Sequence, residues 1–259
     1  DPLQVSNLTS QLRESIDNNA APILIDQEGG SVVRLRPPYW RRPPAAKVFA
    51  DMAKSDIDLA CEALNLNIRL IGKELRTIGI NVDCLPVLDI PSDGAHPIIG
   101  DRALGTSPEI VSVLGETACK ALIHEGVLPV IKHIPGHGRA DVDSHKSLPL
   151  VETEHAELSR IDFLPFKNLA HMPLAMTAHV IYKAIDPNFP ATTSSKIIQH
   201  VIRNEILFKG LLMSDDLSMQ ALEGGLEERA LSALNAGCDL VLHCNGVLNE
   251  MAEIAAVVS

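Results

Sequence analysis

The chain has 259 residues, of which 46% are apolar and 21% are charged, and this is the composition of a globular domain with a sizeable core. These values exclude a disordered chain, and the longest apolar runs are far shorter than the ~20 residues that a membrane-spanning helix requires. The formal net charge of -11 disfavours nucleic acids and anionic membranes as partners, because phosphate groups are bound by clustered lysine and arginine.

The hydrophobic pattern predicts helices and strands that alternate along the chain. Ser107 followed by Pro108, for example, is typical of a helix start. The expected helices cover residues 3–19, 56–78, 108–125, 152–171, 194–207, 221–236 and 249–258, and the expected strands cover residues 22–26, 81–89, 127–131, 174–180, 210–215 and 238–244.

Strict alternation of strands and helices with short connections predicts an α/β fold with a parallel sheet. Polar residues stand at or near the carboxyl end of every expected strand, which favours a closed (β/α)8 TIM-like barrel with its site at that face. An open doubly wound sheet is disfavoured, since no GxGxxG motif follows any strand. The strand-end residues are Asp26, Asp89, Lys132, His133, His179, Asp215 and His243.

A barrel needs eight strands, whereas the pattern contains six. We therefore expect one barrel domain over residues 1–259 that lacks about two N-terminal strands. The composition fits a monomer and a homodimer equally well, and leaves the oligomeric state open.

The five cysteines are odd in number, widely scattered and without CxxC spacing. Thiols embedded in apolar runs are typical of a reducing compartment, so we expect them to be reduced and buried in a cytoplasmic protein. They are Cys61, Cys84, Cys119, Cys238 and Cys244.

Asp143 and His145 follow the strand at 127–131 on a stretch that is interrupted by proline and glycine. With one residue between them, the carboxylate can bind one imidazole nitrogen and raise the pKa of the ring, so that the other nitrogen exchanges a proton near neutral pH. The alternative is a local hydrogen bond that stabilises the loop. The polar surroundings of this stretch favour the proton shuttle.

A second candidate is Asp215, which an apolar strand delivers in the sequence LLMSDDLSM at 211–219. A carboxylate at such a strand end can serve as nucleophile, base or metal ligand, or as a structural hydrogen-bond acceptor. Asp216 is the weaker candidate, because it is suited to capping the helix that follows.

A metal site is a further interpretation of the histidines and aspartates at 133–145. Their H-x3-H-x7-H spacing matches no compact zinc pattern, and the intervening Pro135 and Gly136 exclude a helical histidine pair. We therefore expect no metal and no cofactor. The residues concerned are His133, His137, Asp143 and His145.

Several ordered motifs together resemble glycoside hydrolase family 3, specifically the bacterial β-N-acetylglucosaminidases that act in peptidoglycan recycling. The resemblance runs over nearly the whole chain. The motifs are DQEGGSVVR at 26–34, DRALGTSPE at 101–109, KHIPGHG at 132–138, DSH at 143–145, MSDDLSM at 213–219 and CDLVLHCNG at 238–246.

This resemblance implies a retaining double displacement on a terminal N-acetylglucosamine (GlcNAc) residue. Asp215 would be the nucleophile, His145 the acid/base and Asp143 the residue that orients His145. The implied substrate is GlcNAc-1,6-anhydro-N-acetylmuramic acid or its peptides. The residues that match the sugar-binding positions are Asp26, Arg34, Arg102, Lys132 and His133.

Aromatic residues make up only 3% of the chain, and Trp40 is the one tryptophan. Little aromatic surface is thus present for stacking along a polysaccharide, which favours a short saccharide or muropeptide. Three different functions stay open beside this one: phosphorolysis of the same glycosides, metal-dependent hydrolysis in a barrel, and sugar binding without catalysis.

Overall fold

The computed structural model describes residues 1–92, 98–140, 142 and 148–258. Short helical segments at Gly100–Arg102 and Ala191–Thr193 and a π-helix at Ile197–Glu205 accompany the regular elements. The strands are β1 (Leu24–Ile25), β2 (Val82–Asp83), β3 (Leu128–Ile134), β4 (Leu150–Val151), β5 (Leu174–Thr177), β6 (Ile181–Tyr182), β7 (Leu211–Asp216) and β8 (Leu240–Leu242). The α-helices are α1 (Pro2–Ser15), α2 (Ala46–Ala53), α3 (Ile57–Thr77), α4 (Pro108–His124), α5 (His155–Arg160), α6 (Leu164–Asn168), α7 (Leu226–Ala236) and α8 (Leu248–Val258).

Six strands form one parallel sheet in the order β1-β2-β3-β5-β7-β8. Its order follows the order of the chain, and each step from one strand to the next crosses over through helical segments, as parallel pairing requires. The predicted α/β class is therefore confirmed, and each of the six predicted strands overlaps one strand of this sheet, although β2 covers only Val82–Asp83 of the predicted 81–89. The short strands β4 and β6, which the sequence did not predict, form a separate parallel pair.

Successive side chains of a strand point to opposite faces of the sheet, and here both faces are covered by apolar clusters. Ile131 and Leu212 pack in the large core beneath the helices, whereas their neighbours Val130 and Met213 belong to a second apolar cluster on the other face. Side chains from all six strands contact one another in this second cluster, so the sheet curls around it. The inner cluster consists of Leu24, Val82, Cys84, Val130, Leu174, Met176, Met213 and Leu242.

The two longest helices begin at side-chain caps. Asp56 accepts a hydrogen bond from the N–H of Leu59 at 3.0 Å at the start of α3, and Ser107 caps α4 ahead of Pro108. These helices pack against each other on the outer face of the sheet. No helix in the described part of the chain is both long enough and apolar enough to cross a bilayer.

The predicted helix at 152–171 was wrong as a single element, since the structure has α5 and α6 there. Pro165 stands at the start of α6, where its missing N–H costs nothing, whereas inside a longer helix it would break the hydrogen-bond ladder. The predicted helix at 221–236 begins only at Leu226, after Gly224 and Gly225. Gly224 has φ +82°, which a helix cannot include.

Candidate active site

A cavity of about 440 Å³ opens at the carboxyl end of the sheet. Its lining comes from β1, β3, β5, β7 and β8 and from the segments that follow them, so it lies where the strand-end residues were predicted to meet. Every described residue of the predicted catalytic and sugar-binding sets lines it. These residues are Asp26, Arg34, Arg102, Lys132, His133 and Asp215.

One wall of the cavity carries five charges of alternating sign. Lys132 Nζ lies 2.8 Å from Asp26 Oδ1 and 2.6 Å from Glu28 Oε1. Asp26 also accepts a hydrogen bond from Arg34 Nη2 at 3.2 Å. Glu28 accepts two from Arg102, from Nε and Nη2, each at 2.9 Å. We call this set, Arg34–Asp26–Lys132–Glu28–Arg102, the charge array.

Pairing within the charge array outweighs the effect of burial on each carboxylate. Burial alone would raise the pKa of Asp26, but Lys132 and Arg34 lower it to about 2. The pKa of Glu28 is likewise lowered by Lys132 and Arg102 against the effect of burial. Burial disfavours the charged form of Lys132, yet Glu28 and Asp26 raise its pKa above the usual value. All five groups are therefore charged near neutral pH.

A second buried carboxylate, Asp89, holds the histidine of the KHIPGHG motif. Its Oδ2 lies 2.6 Å from His133 Nδ1, and its Oδ1 accepts the N–H groups of His133 at 3.1 Å and His137 at 2.6 Å. Burial would raise the pKa of Asp89, but these contacts lower it to about 2. With Nδ1 held, Nε2 is the nitrogen of His133 that can meet a ligand in the cavity.

Asp215 stands on the opposite wall, on β7. Within the described residues, the hydrogen bond that its carboxylate accepts is from the N–H of Asp216, at 2.8 Å. Burial raises the pKa of Asp215, but His133 and the Asp216 N–H outweigh burial, so the pKa lies below its usual value. His179 is also close, although burial lowers its own pKa and leaves it largely neutral. Asp215 is thus an ionised carboxylate that faces the cavity.

Asp216 has a structural role in the turn after β7. Its carboxylate accepts hydrogen bonds from the N–H of Ser218 at 3.0 Å, the hydroxyl of Ser218 at 2.6 Å and the N–H of Cys244 at 3.1 Å. The prediction that it caps the following helix was wrong, since a turn follows there and α7 begins only at Leu226.

Three of the predicted strand-end residues do not line the cavity. Asp89 lies beneath His133, as described above. His179 is fully buried, with Nδ1 2.6 Å from Thr192 Oγ1 and Nε2 3.1 Å from the carbonyl of Asp216. His243 lies against α8, with Nε2 2.9 Å from Glu250 Oε2. The end of β8 contributes Leu242 and Cys244 to the cavity instead.

The predicted acid/base His145 and its partner Asp143 lie outside the described residues, so their roles stay predictions. The described residues before and after this stretch are held by contacts with the rest of the domain. Gly138 is packed so tightly on the backbone of Ile90 that a side chain could not be placed there. Beyond these two residues the chain returns as β4, which pairs with β6.

Arg139 ties the first of these flanks to the body of the domain. Its Nε donates to Asp162 Oδ2 at 2.8 Å, and its Nη2 lies 2.9 Å from Glu157 Oε1. The Asp162 side chain is almost fully buried, so this contact joins the segment after KHIPGHG to the interior below α5.

The cysteines are all free, and three are buried as predicted: Cys84, Cys119 and Cys238. Cys61 is half-buried, and Cys244 is exposed in the cavity wall, which contradicts its predicted burial. Partial loss of solvent around the Cys244 thiol in the cavity wall and the carboxylates of Asp216 and Asp215 raise its pKa to about 12, so this thiol stays protonated.

The described residues contain no group of three histidine, cysteine or carboxylate side chains placed to hold a metal ion. Of the four residues in the metal interpretation, His133 and His137 are described, with ring centroids 5.7 Å apart. Asp143 and His145 lie outside the described residues, so the described part of the chain neither completes this site nor tests it.

Sequence reasoning missed the role of Glu28 and assigned no partner to Asp89. A signal for Glu28 existed, because it stands two residues after Asp26 in DQEGG, and residues at that spacing share one side of an extended chain. Asp89 was placed at a strand end, but its partner His133 lies 44 residues away.

The sequence model of the family described as glycosyl hydrolase family 3 N-terminal domain matches residues 1–259 of the chain. The chain belongs to this family. Its sequence is 37% identical over 248 residues to a beta-hexosaminidase of Nitrosomonas eutropha. The matched region covers 94% of this chain and 70% of that protein.

Solved structures of the family have the same fold. A β-N-acetylglucosaminidase from Paenibacillus sp. superposes with a TM-score of 0.90 at 35% identity, covering 99% of this chain and 49% of that one. This chain therefore spans about half the length of the Paenibacillus enzyme. NagZ from Neisseria gonorrhoeae, in complex with N-trifluoroacetyl-D-glucosamine, superposes with a TM-score of 0.89 at 32% identity, covering 100% of this chain and 78% of that one.

Proposed function

We propose that this member of family 3 is a retaining exo-β-N-acetylglucosaminidase that removes terminal GlcNAc from short peptidoglycan fragments. One observation carries the proposal: Asp215 lines the same cavity as Asp26, Arg34, Arg102, Lys132 and His133. An ionised carboxylate thus faces a wall of hydrogen-bond donors and acceptors that suits a ring of hydroxyl groups. The names of the beta-hexosaminidase and β-N-acetylglucosaminidase relatives support the same substrate class.

In the first step Asp215 attacks the anomeric carbon as the bond to the leaving oxygen breaks. His145 gives its proton to that oxygen, and a covalent glycosyl ester of Asp215 results. In the second step His145 takes a proton from water, which attacks the same carbon and releases Asp215. Two inversions retain the anomeric configuration. Asp143 is the positioning residue that fixes the tautomer of His145.

The shape and composition of the cavity support a single terminal sugar as the ligand. About 440 Å³ is within the range of small-molecule sites, and apolar side chains line the cavity together with the charge array. A sugar with an acetamido group offers both hydroxyls and a methyl group to such a lining. The apolar side chains are Met176, Met219, Leu242, Ile98, Ile99 and Val32.

We also infer that the curled sheet belongs to a (β/α)8 barrel and that the enzyme acts in cytoplasmic cell-wall recycling on GlcNAc-1,6-anhydro-N-acetylmuramic acid and its peptides. The inner apolar cluster shared by all six strands supports the barrel, since barrel interiors are filled by side chains of every strand. Free cysteines and the scarcity of aromatic residues support the location and the short substrate.

The test is turnover of an aryl β-N-acetylglucosaminide by the 259-residue chain, with the first-formed anomer of the product followed by NMR. We expect β-GlcNAc from the β-glycoside. Appearance of the α-anomer first would contradict the double displacement, and absence of turnover despite GlcNAc binding would indicate a sugar-binding protein.

Two further arms of the same assay test for phosphorolysis and for metal dependence. Added phosphate distinguishes hydrolysis from phosphorolysis, because only the latter yields GlcNAc 1-phosphate. Loss of turnover with a chelator, restored by zinc or magnesium, would indicate a metal-dependent hydrolase instead.

A further inference from the structure

Glu28 is the most enclosed member of the charge array after Lys132. Its side chain is 7% exposed, and three donors surround it: Nζ of Lys132, and Nε and Nη2 of Arg102. Oε1 accepts from both cations and Oε2 from Arg102, so both oxygens are used within the protein. Glu28 is therefore poorly placed to bind a hydroxyl group itself, although it reaches the edge of the cavity.

The two cations that Glu28 holds would repel each other without it. The two positive groups are close, since Arg102 Nη2 and Lys132 Nζ lie 2.9 Å and 2.6 Å from the same oxygen, Glu28 Oε1, and the charge of Arg102 acts to lower the pKa of Lys132. Both are largely buried, with 12% of the Arg102 side chain and 2% of the Lys132 side chain exposed. Because both groups donate to Glu28 Oε1, this single oxygen fixes the position of the Lys132 and Arg102 nitrogens relative to each other.

We propose that Glu28 is a positioning residue of the sugar subsite, which holds Lys132 and Arg102 side by side so that they bind neighbouring hydroxyl groups of the terminal sugar. This inference rests on the proposed function and deepens it, since it explains how two like charges keep one geometry before a sugar binds. A guanidinium held by two parallel bonds has little freedom left, so its remaining N–H groups are aimed before the ligand arrives.

The experiment compares three variants of the 259-residue chain by calorimetric titration with GlcNAc and by turnover of an aryl β-N-acetylglucosaminide. Glu28→Gln keeps the shape and removes the charge, whereas Glu28→Asp keeps the charge and shortens the side chain. Asp51→Asn is the matched control, since Asp51 also bridges two lysines, Lys47 and Lys54, but on the exposed surface of α2.

We expect Glu28→Gln to weaken the Kd for GlcNAc at least about tenfold, because a buried charged partner of both sugar-binding cations is lost. Glu28→Asp should fall between this variant and wild type, and Asp51→Asn should match wild type. A purely structural role would lower the thermal midpoint of Glu28→Gln and leave the Kd of the folded protein unchanged, and this result would overturn the proposal.

The pH dependence of GlcNAc binding is a second readout. The groups that act most strongly on Lys132 are Glu28, Asp26, Arg102 and Cys84, and Glu28 and Asp26 are the anions that contribute most to keeping it charged. Asp83 and Asp215 also interact with the charge of Lys132. With Glu28 neutral, binding should begin to fall at a lower alkaline pH than in wild type. Identical alkaline limbs would count against the assignment.

Failure of the function and failure of this inference are distinguishable. If wild type binds GlcNAc but hydrolyses nothing, the hydrolase proposal fails and the Kd values still decide the role of Glu28. If wild type hydrolyses the glycoside and Glu28→Gln binds equally well, only the inference fails. Should Glu28→Gln not fold, Glu28→Asp is judged by the same Kd, and loss of folding in both assigns Glu28 to stability and overturns the positioning role.

Discussion

The two walls of the cavity treat their carboxylates in opposite ways. On the wall of β1–β3, Asp26 and Glu28 each contact a cation at 2.9 Å or less, and Asp89, beneath this wall, contacts His133 at 2.6 Å. On the wall of β7, Asp215 accepts a hydrogen bond from the N–H of Asp216, and no described cation lies within ion-pair distance of it. A carboxylate whose oxygens accept strong hydrogen bonds is a weak nucleophile, whereas Asp215 has an oxygen that is available to attack a substrate.

Binding and reaction are thus assigned to different walls of one cavity. The paired wall is fixed before a ligand arrives, because each of its charges already has a partner and the three central ones, Lys132, Glu28 and Arg102, are largely buried. On the β7 wall, Asp215 is kept ionised by the Asp216 N–H and by the more distant charges of His133 and Lys132, without a described cation in contact with it. Its carboxylate can therefore attack a carbon atom without first breaking an ion pair.

Asp215→Asn should abolish turnover while GlcNAc still binds. Removal of the proposed nucleophile should lower kcat on the order of 10³- to 10⁵-fold, since the amide keeps the shape but cannot form the ester. The measurement is steady-state hydrolysis of an aryl β-N-acetylglucosaminide together with calorimetric GlcNAc binding. The neighbouring Asp216→Asn, which weakens hydrogen bonds to Ser218 and Cys244, should cost less than about tenfold. Equal losses in both variants would remove the distinction between these two carboxylates.

His145→Ala should lower kcat on the order of 10²- to 10⁴-fold for glycosides whose leaving group needs a proton. The deficit should be smaller for a nitrophenyl leaving group, which departs as a stable anion. The measurement is the dependence of kcat/KM on leaving-group pKa for wild type and variant. A steeper dependence in the variant supports the proton-transfer role, and parallel lines would contradict it.

Much of this site could be predicted from short stretches of sequence. Apolar runs ending in Asp26, Lys132 and Asp215 marked strand ends, and parallel strands bring those ends to one edge. Such reasoning needs only local pattern and the rule of parallel pairing. It therefore located the cavity and its direction of opening correctly.

Ion-pair partners could not be predicted in the same way. Glu28 and Arg102 are 74 residues apart, and their contact depends on how two segments outside the strands are packed. His243 shows the converse error, since its position at a strand end was right but its side chain turns to Glu250 on α8. Local pattern gives the end of a strand, whereas the direction of a side chain after that end depends on tertiary packing.

Lys132→Met should destabilise the fold by about 3 kcal/mol, because it leaves buried carboxylates without a shared cation. The reference is Lys183→Met, which removes an exposed partner of Glu152 and should cost less than about 0.5 kcal/mol. The measurement is urea unfolding followed by circular dichroism. A similar cost for both lysines would show that the paired wall is no more than an ordinary surface cluster.

Asp83 tests whether pairing, rather than burial alone, keeps the carboxylates of the β1–β3 wall ionised. It is fully buried below the charge array, and it accepts the N–H of Gln27 at 2.9 Å without a cation in contact. Burial raises its pKa to about 8, and the charges of Asp26 and Glu28 act in the same direction. Asp83 is therefore protonated in the folded protein near pH 7 but ionised in the unfolded chain.

The folded pKa of Asp83, about 8, lies above the unfolded value of about 3.9, so folding takes up a proton between these pH values. The stability that this group contributes is fully present below about pH 3.9 and is lost as the pH rises through about 8. Asp83→Asn, which cannot ionise, should therefore lose less thermal stability than wild type between pH 5 and pH 8.5. Exposed Asp58→Asn on α3 serves as the control, with a wild-type slope expected. Parallel Tm-against-pH curves for wild type and Asp83→Asn would mean that Asp83 is ionised without a cation in contact, and pairing would then not be what keeps Asp26 and Glu28 ionised on the same wall.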